Sequence, residues 1–145
     1  MNDTTENPVP GWFKTLAIIA LIWNLLGVMS FFIQMNMSEE ALALLPQAEQ
    51  ELYRNIPVWV TAAYGLAVFA GTLGCLMMMG RKSVAVSLLI ASLVGVLVQM
   101  GHMFFLTDAV AVLGMGRMIM PLIVILIAVA LVMMARKGVA NGWLK

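Results

Sequence analysis

Few polar side chains interrupt the long apolar runs of this sequence, and they recur at helical spacing. In an apolar solvent each such group needs a hydrogen-bonding partner, so polar residues at membrane depth mark helix contacts or binding sites. The candidates are Asn24, Gln34, Tyr64, Gln99 and His102, with Asp108 and Arg117 at the border of the same region. We predict that they line a polar cavity whose opposite end is closed by purely apolar segments.

His102 is the only histidine. Imidazole titrates near neutral pH and is the commonest metal ligand. Three roles fit the sequence: a hydrogen bond to Tyr64, Gln99 or Asp108; contact with a ligand or proton sensing; and ligation of a metal or of haem iron. A single histidine excludes a cytochrome with several haems.

Methionine is abundant, with 14 residues in 145. Thioethers beside an imidazole suit Cu(I), which makes His102, Met100 and Met103 a weak candidate metal set. Methionine also fills apolar cores, and residues 77–79 and 133–134 lie far from this cluster. We expect no cofactor, with copper and haem left open as alternatives.

The sequence contains no motif for phosphate binding, for nucleophilic catalysis or for acid/base catalysis. The sequence has no glycine-rich phosphate loop, no Ser-His-Asp or Cys-His set and no pair of carboxylates within an apolar run. An enzyme is therefore not favoured. The net charge is +1 and no basic run exceeds two residues, so nucleic acid is excluded as a partner.

The elements that position these residues are predicted to be transmembrane helices. Hydrophobic residues make up 63% of the chain and charged residues 10%, against about 25% charged in a soluble domain. A helix needs about 20 apolar residues to cross a bilayer, and its amides are then satisfied internally. Four runs qualify, at 15–33, 58–79, 83–106 and 118–134, so residues 1–145 are predicted as one all-α, four-transmembrane-helix bundle.

A short amphipathic segment is predicted between the first two spans. Ser38 can cap a helix that begins with Glu39 and Glu40, and Pro46 separates it from a second turn at 47–53. Ala41, Leu45, Ala48 and Leu52 share one face. Such a segment is expected to lie on the membrane surface.

The distribution of cations predicts the orientation. One side carries six cations, namely Lys14, Arg81, Lys82, Arg136, Lys137 and Lys145, and the other carries only Arg54 and Arg117. Because the cytoplasmic side of membrane proteins is enriched in Lys and Arg, both termini are expected in the cytoplasm. The chain lacks the basic start of a secretory signal, so its first run is taken as a retained span after a polar tail of 14 residues.

Small residues form stripes that predict helix contacts. In the third span the stripe follows a spacing of four, through Ser87, Ala91, Gly95 and Gln99. In the second span it includes Ala67 and Gly71. These stripes serve contacts within the bundle or, alternatively, a homo-oligomer.

Three segments carry a resemblance to known proteins. They are residues 21–27 (LIWNLLG), residues 98–105 (VQMGHMFF), and residues 120–144 with Met-Pro at the start and Gly-Trp-Leu at the end. The chain resembles a group of small four-span bacterial inner-membrane proteins, DoxX-like in size and topology and sometimes labelled sugar transporters. The resemblance implies the topology and a multi-pass inner-membrane location, and it supplies no substrate.

Three functions follow as hypotheses. The first is binding or passage of a small solute or lipid-like molecule through the outward-facing cavity. The second is a non-catalytic accessory subunit that associates with a larger membrane complex. The third is a metal or redox-cofactor protein built on His102 and the nearby methionines.

Overall fold

A computed structural model describes residues 8–145, and seven α-helices form there with no strand. Four are long and apolar enough to cross a membrane: α1 (Gly11–Met35), α4 (Val58–Met79), α5 (Val84–Gly101, continued by a π-helical turn at His102–Leu106) and α7 (Ile119–Ala140). Three are short: α2 (Glu39–Ala43), α3 (Gln47–Arg54) and α6 (Ala109–Leu113). The protein is therefore a multi-pass, all-α membrane protein, and the predicted four-helix bundle is confirmed.

The bounds of two spans differ from the predicted ones. Helix α1 begins at Gly11, four residues before the predicted start, because Pro10 already accepts the amide of Lys14. Residues 1–7 of the predicted polar tail lie outside the described residues. Helix α7 continues to Ala140 and includes Arg136 and Lys137, whose long side chains can extend to the interface from within a helix.

The four long helices run alternately up and down. Helices α4 and α5 form the central pair, α1 packs on α4, and α7 packs on α5. Six cations therefore gather at one end, called here the basic end: Lys14, Arg81, Lys82, Arg136, Lys137 and Lys145. The opposite end, called the loop end, carries α2, α3 and α6.

Glycines set the closest approach of the central pair. A Cβ atom added at Gly95 would lie 2.6 Å from the carbonyl oxygen of Ala63 and 2.9 Å from the amide nitrogen of Ala67. Both atoms belong to the backbone of α4, which cannot move aside as a side chain can. Gly74 of α4 likewise faces Leu89, with 2.7 Å to its side chain. The α4–α5 contact therefore depends on these residues having no side chain.

The contact face of α5 agrees with the predicted stripe at Gly95 and differs from it at Ser87. Ser87 is exposed, whereas Ser92 is buried and faces α4. A helix has 3.6 residues per turn, so a strict spacing of four drifts by about 40° at each step. The buried positions instead follow the true period, through Ala85, Leu89, Ser92 and Val96.

The basic end is closed by aromatic side chains and by the C-terminal tail. Phe13 is 1% exposed and lies 5.2 Å from Trp143, measured between ring centroids. Gly80 is the C-cap residue of α4, and Arg81 follows it at φ 60°. The amide of Lys82 then donates to the carbonyl of Met77. The tail is held to this turn, because the amide of Lys145 donates to Arg81 and that of Ser83 donates to Lys145.

The loop end is covered by the predicted amphipathic segment. The Ser38 hydroxyl accepts the amide of Ala41 at 3.1 Å and caps α2. The inward face is not quite the predicted one: Leu42 is buried, while Ala41 and Ala48 are exposed. Helix α3 lies against α6 and is held there by an ion pair between Glu49 and Arg117, described below.

Candidate functional site

A cavity of about 400 Å³ lies among the four long helices, in the half of the bundle nearer the loop end. Its walls come from every long helix. Helix α1 contributes Trp23, Asn24, Leu26, Gly27, Ser30 and Gln34; α4 contributes Tyr64, Ala67 and Val68; α5 contributes Ser92, Val96, Gln99 and Met100; α7 contributes Met120, Val124, Ile127, Ala128 and Leu131. Its volume falls within the range of about 300–1,000 Å³ typical of small-molecule sites.

The cavity exists because α1 leaves the core partway along the bundle. Near the basic end, one buried cluster draws on all four helices and includes Ala17, Met78, Leu89 and Ala135. Nearer the loop end, the buried cluster consists of Ala67, Val96, Met100 and Ala128, and it contains no described residue of α1. The helices α1 and α7 thus meet at the basic end and separate toward the loop end. The cavity lies where they separate, above the buried cluster that joins all four helices.

We place the mouth of the cavity between these two helices, because lining side chains on both of them are exposed. Leu26 in the middle of α1 is 50% exposed, and Met120 near the start of α7 is 57% exposed. Both also line the cavity. Since Leu26 adjoins Gly27, which packs on Val68 at mid-span of α4, the mouth reaches the depth of the bilayer hydrocarbon.

The deepest polar groups of the cavity are already satisfied by protein atoms. The Asn24 amide donates to the carbonyl of Ala20 at 2.8 Å and to the Cys75 sulfur at 3.5 Å. The Ser92 hydroxyl donates to the carbonyl of Ala67 at 2.6 Å. These side chains join α1 and α5 to α4, with Gly71 leaving space for both. Their role in this structure is to fix the helices.

The shallower polar groups are available to a ligand. Within residues 8–145, the side-chain amides of Gln34 and Gln99 make no hydrogen bond. Ser30 and Tyr64 interact with each other across the α1–α4 contact. An amide offers both a donor and an acceptor. The loop-end half of the cavity therefore presents hydrogen-bonding groups of both kinds, and none of its lining residues is charged.

His102 lies outside this cavity. It lines a separate depression of about 160 Å³ with Gln34, Leu52, Tyr53, Met103, Thr107 and Ala109. Its ring packs edge-on against Trp59 at 5.3 Å between centroids. His102 begins the π-helical turn that continues α5, whereas Gln99, three residues earlier, lines the cavity. Gln34 lies between the two spaces and lines both.

Asp108 and Arg117 also lie outside the cavity. Asp108 is exposed and precedes α6, where its carbonyl accepts the amide of Val112 at 2.8 Å. The Arg117 guanidinium donates to the Glu49 carboxylate at 2.6 Å. The Glu49 side chain is only 12% exposed. The attraction of these opposite charges holds Arg117 toward α3 instead of toward the cavity.

The candidate metal ligands are divided between the two spaces. Met100 lines the large cavity, whereas His102 and Met103 line the depression. Among residues 8–145, no group of three His, Cys, Asp or Glu side chains is arranged to hold a metal ion. The structure thus does not bring the three residues of the weak metal set into one pocket.

Sequence reasoning named Asn24, Gln34, Tyr64 and Gln99, and the structure brings these four to one cavity. It did not select Trp23, Ser30 or Ser92 as site residues. Ser30 lies one helical turn before Gln34 on the first span, and Ser92 is found when the period of 3.6 is counted from Ala85. Trp23 carries no such signal, because a tryptophan in an apolar run faces lipid or protein equally well.

Comparisons with models of known protein families, with curated proteins and with solved structures find no match to this chain. The resemblance to small DoxX-like proteins stays a prediction. The cavity itself is the observation from which a function is argued.

Proposed function

We propose that this protein binds a lipid-like or other small amphipathic molecule in the cavity between α1, α4, α5 and α7. The proposal rests on one observation, which is a cavity among the membrane-spanning helices that combines apolar walls with unpaired amides of Gln34 and Gln99. Apolar pockets with a few convergent polar groups are typical binding sites. The polar groups fix the orientation of a ligand, and the apolar walls provide most of its affinity.

Binding is favoured over conduction by the closed basic end. Phe13 and Ala135 are each 1% exposed or less, and both belong to the cluster that joins all four helices. A path across the membrane would have to separate these packed side chains. Four helices are also few for alternating access, which usually uses repeated multi-helix halves. Passage of a molecule through the bundle would require a second conformation or several copies.

The proposed location is the bacterial inner membrane, with the loop end facing outward. The six cations of the basic end support this orientation, because Lys and Arg are enriched on the cytoplasmic side. The resemblance of residues 21–27 and 98–105 to small inner-membrane proteins agrees with the same location. In this orientation the cavity opens into the outer leaflet.

The proposal is tested with two valines on one helix. Val124 lines the cavity, whereas Val129 is 38% exposed on the outside of α7. In V124W the indole fills the cavity, and in V129W it enters lipid. After purification from bacterial membranes in mild detergent, native mass spectrometry measures the fraction of protein that retains a molecule of lipid mass.

We expect retention by the wild type and V129W, and a loss of roughly tenfold or more in V124W. Circular dichroism checks that both variants are folded. Should V124W not fold, S30W narrows the same cavity from the exposed part of α1. Equal retention in all three proteins, or none in the wild type, would overturn the proposal.

A further inference from the structure

We infer that the ligand is an uncharged amphiphile with one hydrocarbon chain, held with its head group toward the loop end. This inference rests on the proposed function and specifies the ligand class of the same cavity. Three independent features lead to it: the absence of charge in the lining, the gathering of hydrogen-bonding groups toward the loop end, and the position and size of the cavity.

The lining excludes a charged head group. All 18 residues that line the cavity are neutral. A charge placed in a low-dielectric site is strongly disfavoured unless an opposite charge meets it. The nearest candidates are unavailable, because the Arg117 guanidinium is paired with Glu49 and the Arg54 guanidinium with Glu39. A phosphate or carboxylate in the cavity would therefore lose its hydration without gaining a partner.

The polar groups that can bond a head group are gathered toward the loop end of the cavity. They are Gln34, Gln99 and Tyr64, whose side chains donate and accept hydrogen bonds, and the apolar Met120 and Val124 lie opposite on α7. Toward the basic end the walls are Ile127, Ala128 and Leu131. The polar side chains at that depth, Asn24 and Ser92, already bond to protein atoms. A head group that carries hydroxyls or an amide thus fits toward the loop end, and a hydrocarbon chain fits toward the basic end.

The position and size of the cavity favour an amphiphile with one chain. Its mouth between α1 and α7 is flanked by the exposed side chains of Leu26 and Met120, so a molecule dissolved in the bilayer reaches it without crossing water. A volume of about 400 Å³ lies near the lower limit for small-molecule sites. This is room for a small head group and part of one hydrocarbon chain, the rest of which stays in the bilayer, rather than for a phospholipid with two chains.

The inference is tested with two ligands that share an oleoyl chain. Monooleoylglycerol has a neutral head group with two hydroxyls, and oleoyl-lysophosphatidylglycerol carries a phosphate. Each is titrated into the purified protein in detergent micelles, and the dissociation constant is obtained from the shift of the melting temperature and from native mass spectrometry. Free glycerol serves as the head group without a chain.

We expect monooleoylglycerol to bind at least roughly tenfold more tightly than the lysophospholipid, and glycerol not to bind. In Q99L the cavity keeps its volume but loses one hydrogen-bonding group, so binding of monooleoylglycerol weakens by about twofold to tenfold. The matched control is Q47L, because Gln47 is exposed at the start of α3 and outside the cavity.

The possible outcomes distinguish failure of this inference from failure of the proposed function. Equal or tighter binding of the lysophospholipid overturns the inference and leaves the proposed function intact. Binding of glycerol alone overturns the requirement for a chain. Equal effects of Q99L and Q47L overturn the placement of the head group. If neither oleoyl ligand binds but the wild type retains a molecule that V124W loses, the inference fails alone. If no molecule is retained either, the proposed function fails with it.

Discussion

At the scale of single residues, glycines set the distance between the two central helices, because a glycine has only a hydrogen atom where other residues have a side chain. Gly95 faces the backbone of Ala63 and Ala67. In lipid, apolar side chains gain little from leaving their solvent, so close packing and hydrogen bonds hold helices together. The hydrogen bond from Ser92 to Ala67 lies beside this contact at 2.6 Å. Packing and hydrogen bonding thus act together at one place on α4.

We predict that G95L lowers the free energy of unfolding by about 1–3 kcal/mol or more, because the added side chain forces α5 away from α4. The matched control is G101A on the same helix, where an added Cβ meets nothing within 4 Å. That change is expected to be neutral or to stabilise by about 0.4–1 kcal/mol. Unfolding by denaturant in mild-detergent micelles measures both, and a similar stability for the two variants would contradict the prediction.

At the scale of elements, α3 is tied to the bundle by a contact between segments 68 residues apart. Glu49 and Arg117 meet at 2.6 Å, and Glu49 is almost covered whereas Arg117 is 62% exposed. By contrast, the pair between Glu39 and Arg54 is largely exposed and joins only α2 to α3. The first pair therefore attaches the surface segment to the bundle, and the second does not.

We predict that E49Q loosens α3 without unfolding the four long helices. Ion pairs with an exposed partner contribute about 0.2–1 kcal/mol to stability. When this pair is lost, the amides of residues 47–54 should therefore exchange with solvent up to about fivefold faster. Hydrogen–deuterium exchange with mass spectrometry measures the rate, and E39Q is the control with an expected change near zero. High salt should produce part of the same effect in the wild type. An unchanged rate in E49Q would show that apolar contacts of Leu42 and Leu52 suffice.

At the scale of the whole molecule, the two ends of the bundle differ in charge and in packing. The basic end gathers six cations and is closed by Phe13, Trp143 and the C-terminal tail. Lys137 adds to this closure, with its ammonium 5.4 Å from the centre of the Trp12 ring. Within residues 8–145 the acidic side chains all lie at the loop end, together with the surface helices and the cavity. Because the cavity lies nearer one end, the orientation of the protein decides from which side of the membrane a ligand reaches it.

We predict that the loop end faces outward. In a C75A background, a single cysteine is placed at Ala48 on α3 or at Ala140 at the end of α7, both of which are exposed. In spheroplasts a membrane-impermeant maleimide should label A48C, whereas A140C should react only after permeabilisation. The reverse pattern would invert the orientation. Labelling of both in intact spheroplasts would contradict the three spans between them, since an odd number of spans places them on opposite sides.

The four spans and the surface segment were predictable because their signals are local. Hydropathy over about 20 residues decides whether a segment crosses the bilayer, and the span 58–79 coincides with the observed helix α4. Ser38, Glu39 and Pro46 set the bounds of α2 by capping and by chain breaking. The gathering of cations at one end follows from the same spans, because consecutive helices must alternate in direction.

Only the tertiary structure decided which polar residues meet, because that depends on the rotation and separation of packed helices. Gln99 and His102 lie only three residues apart in the same span, yet Gln99 lines the cavity and His102, in the π-helical turn, packs on Trp59. Arg117 is drawn away by Glu49, a partner that is distant in sequence. The cavity itself arises where α1 separates from α7. The sequence alone thus determined a membrane bundle with two unlike ends, and packing determined the space that we propose as its binding site.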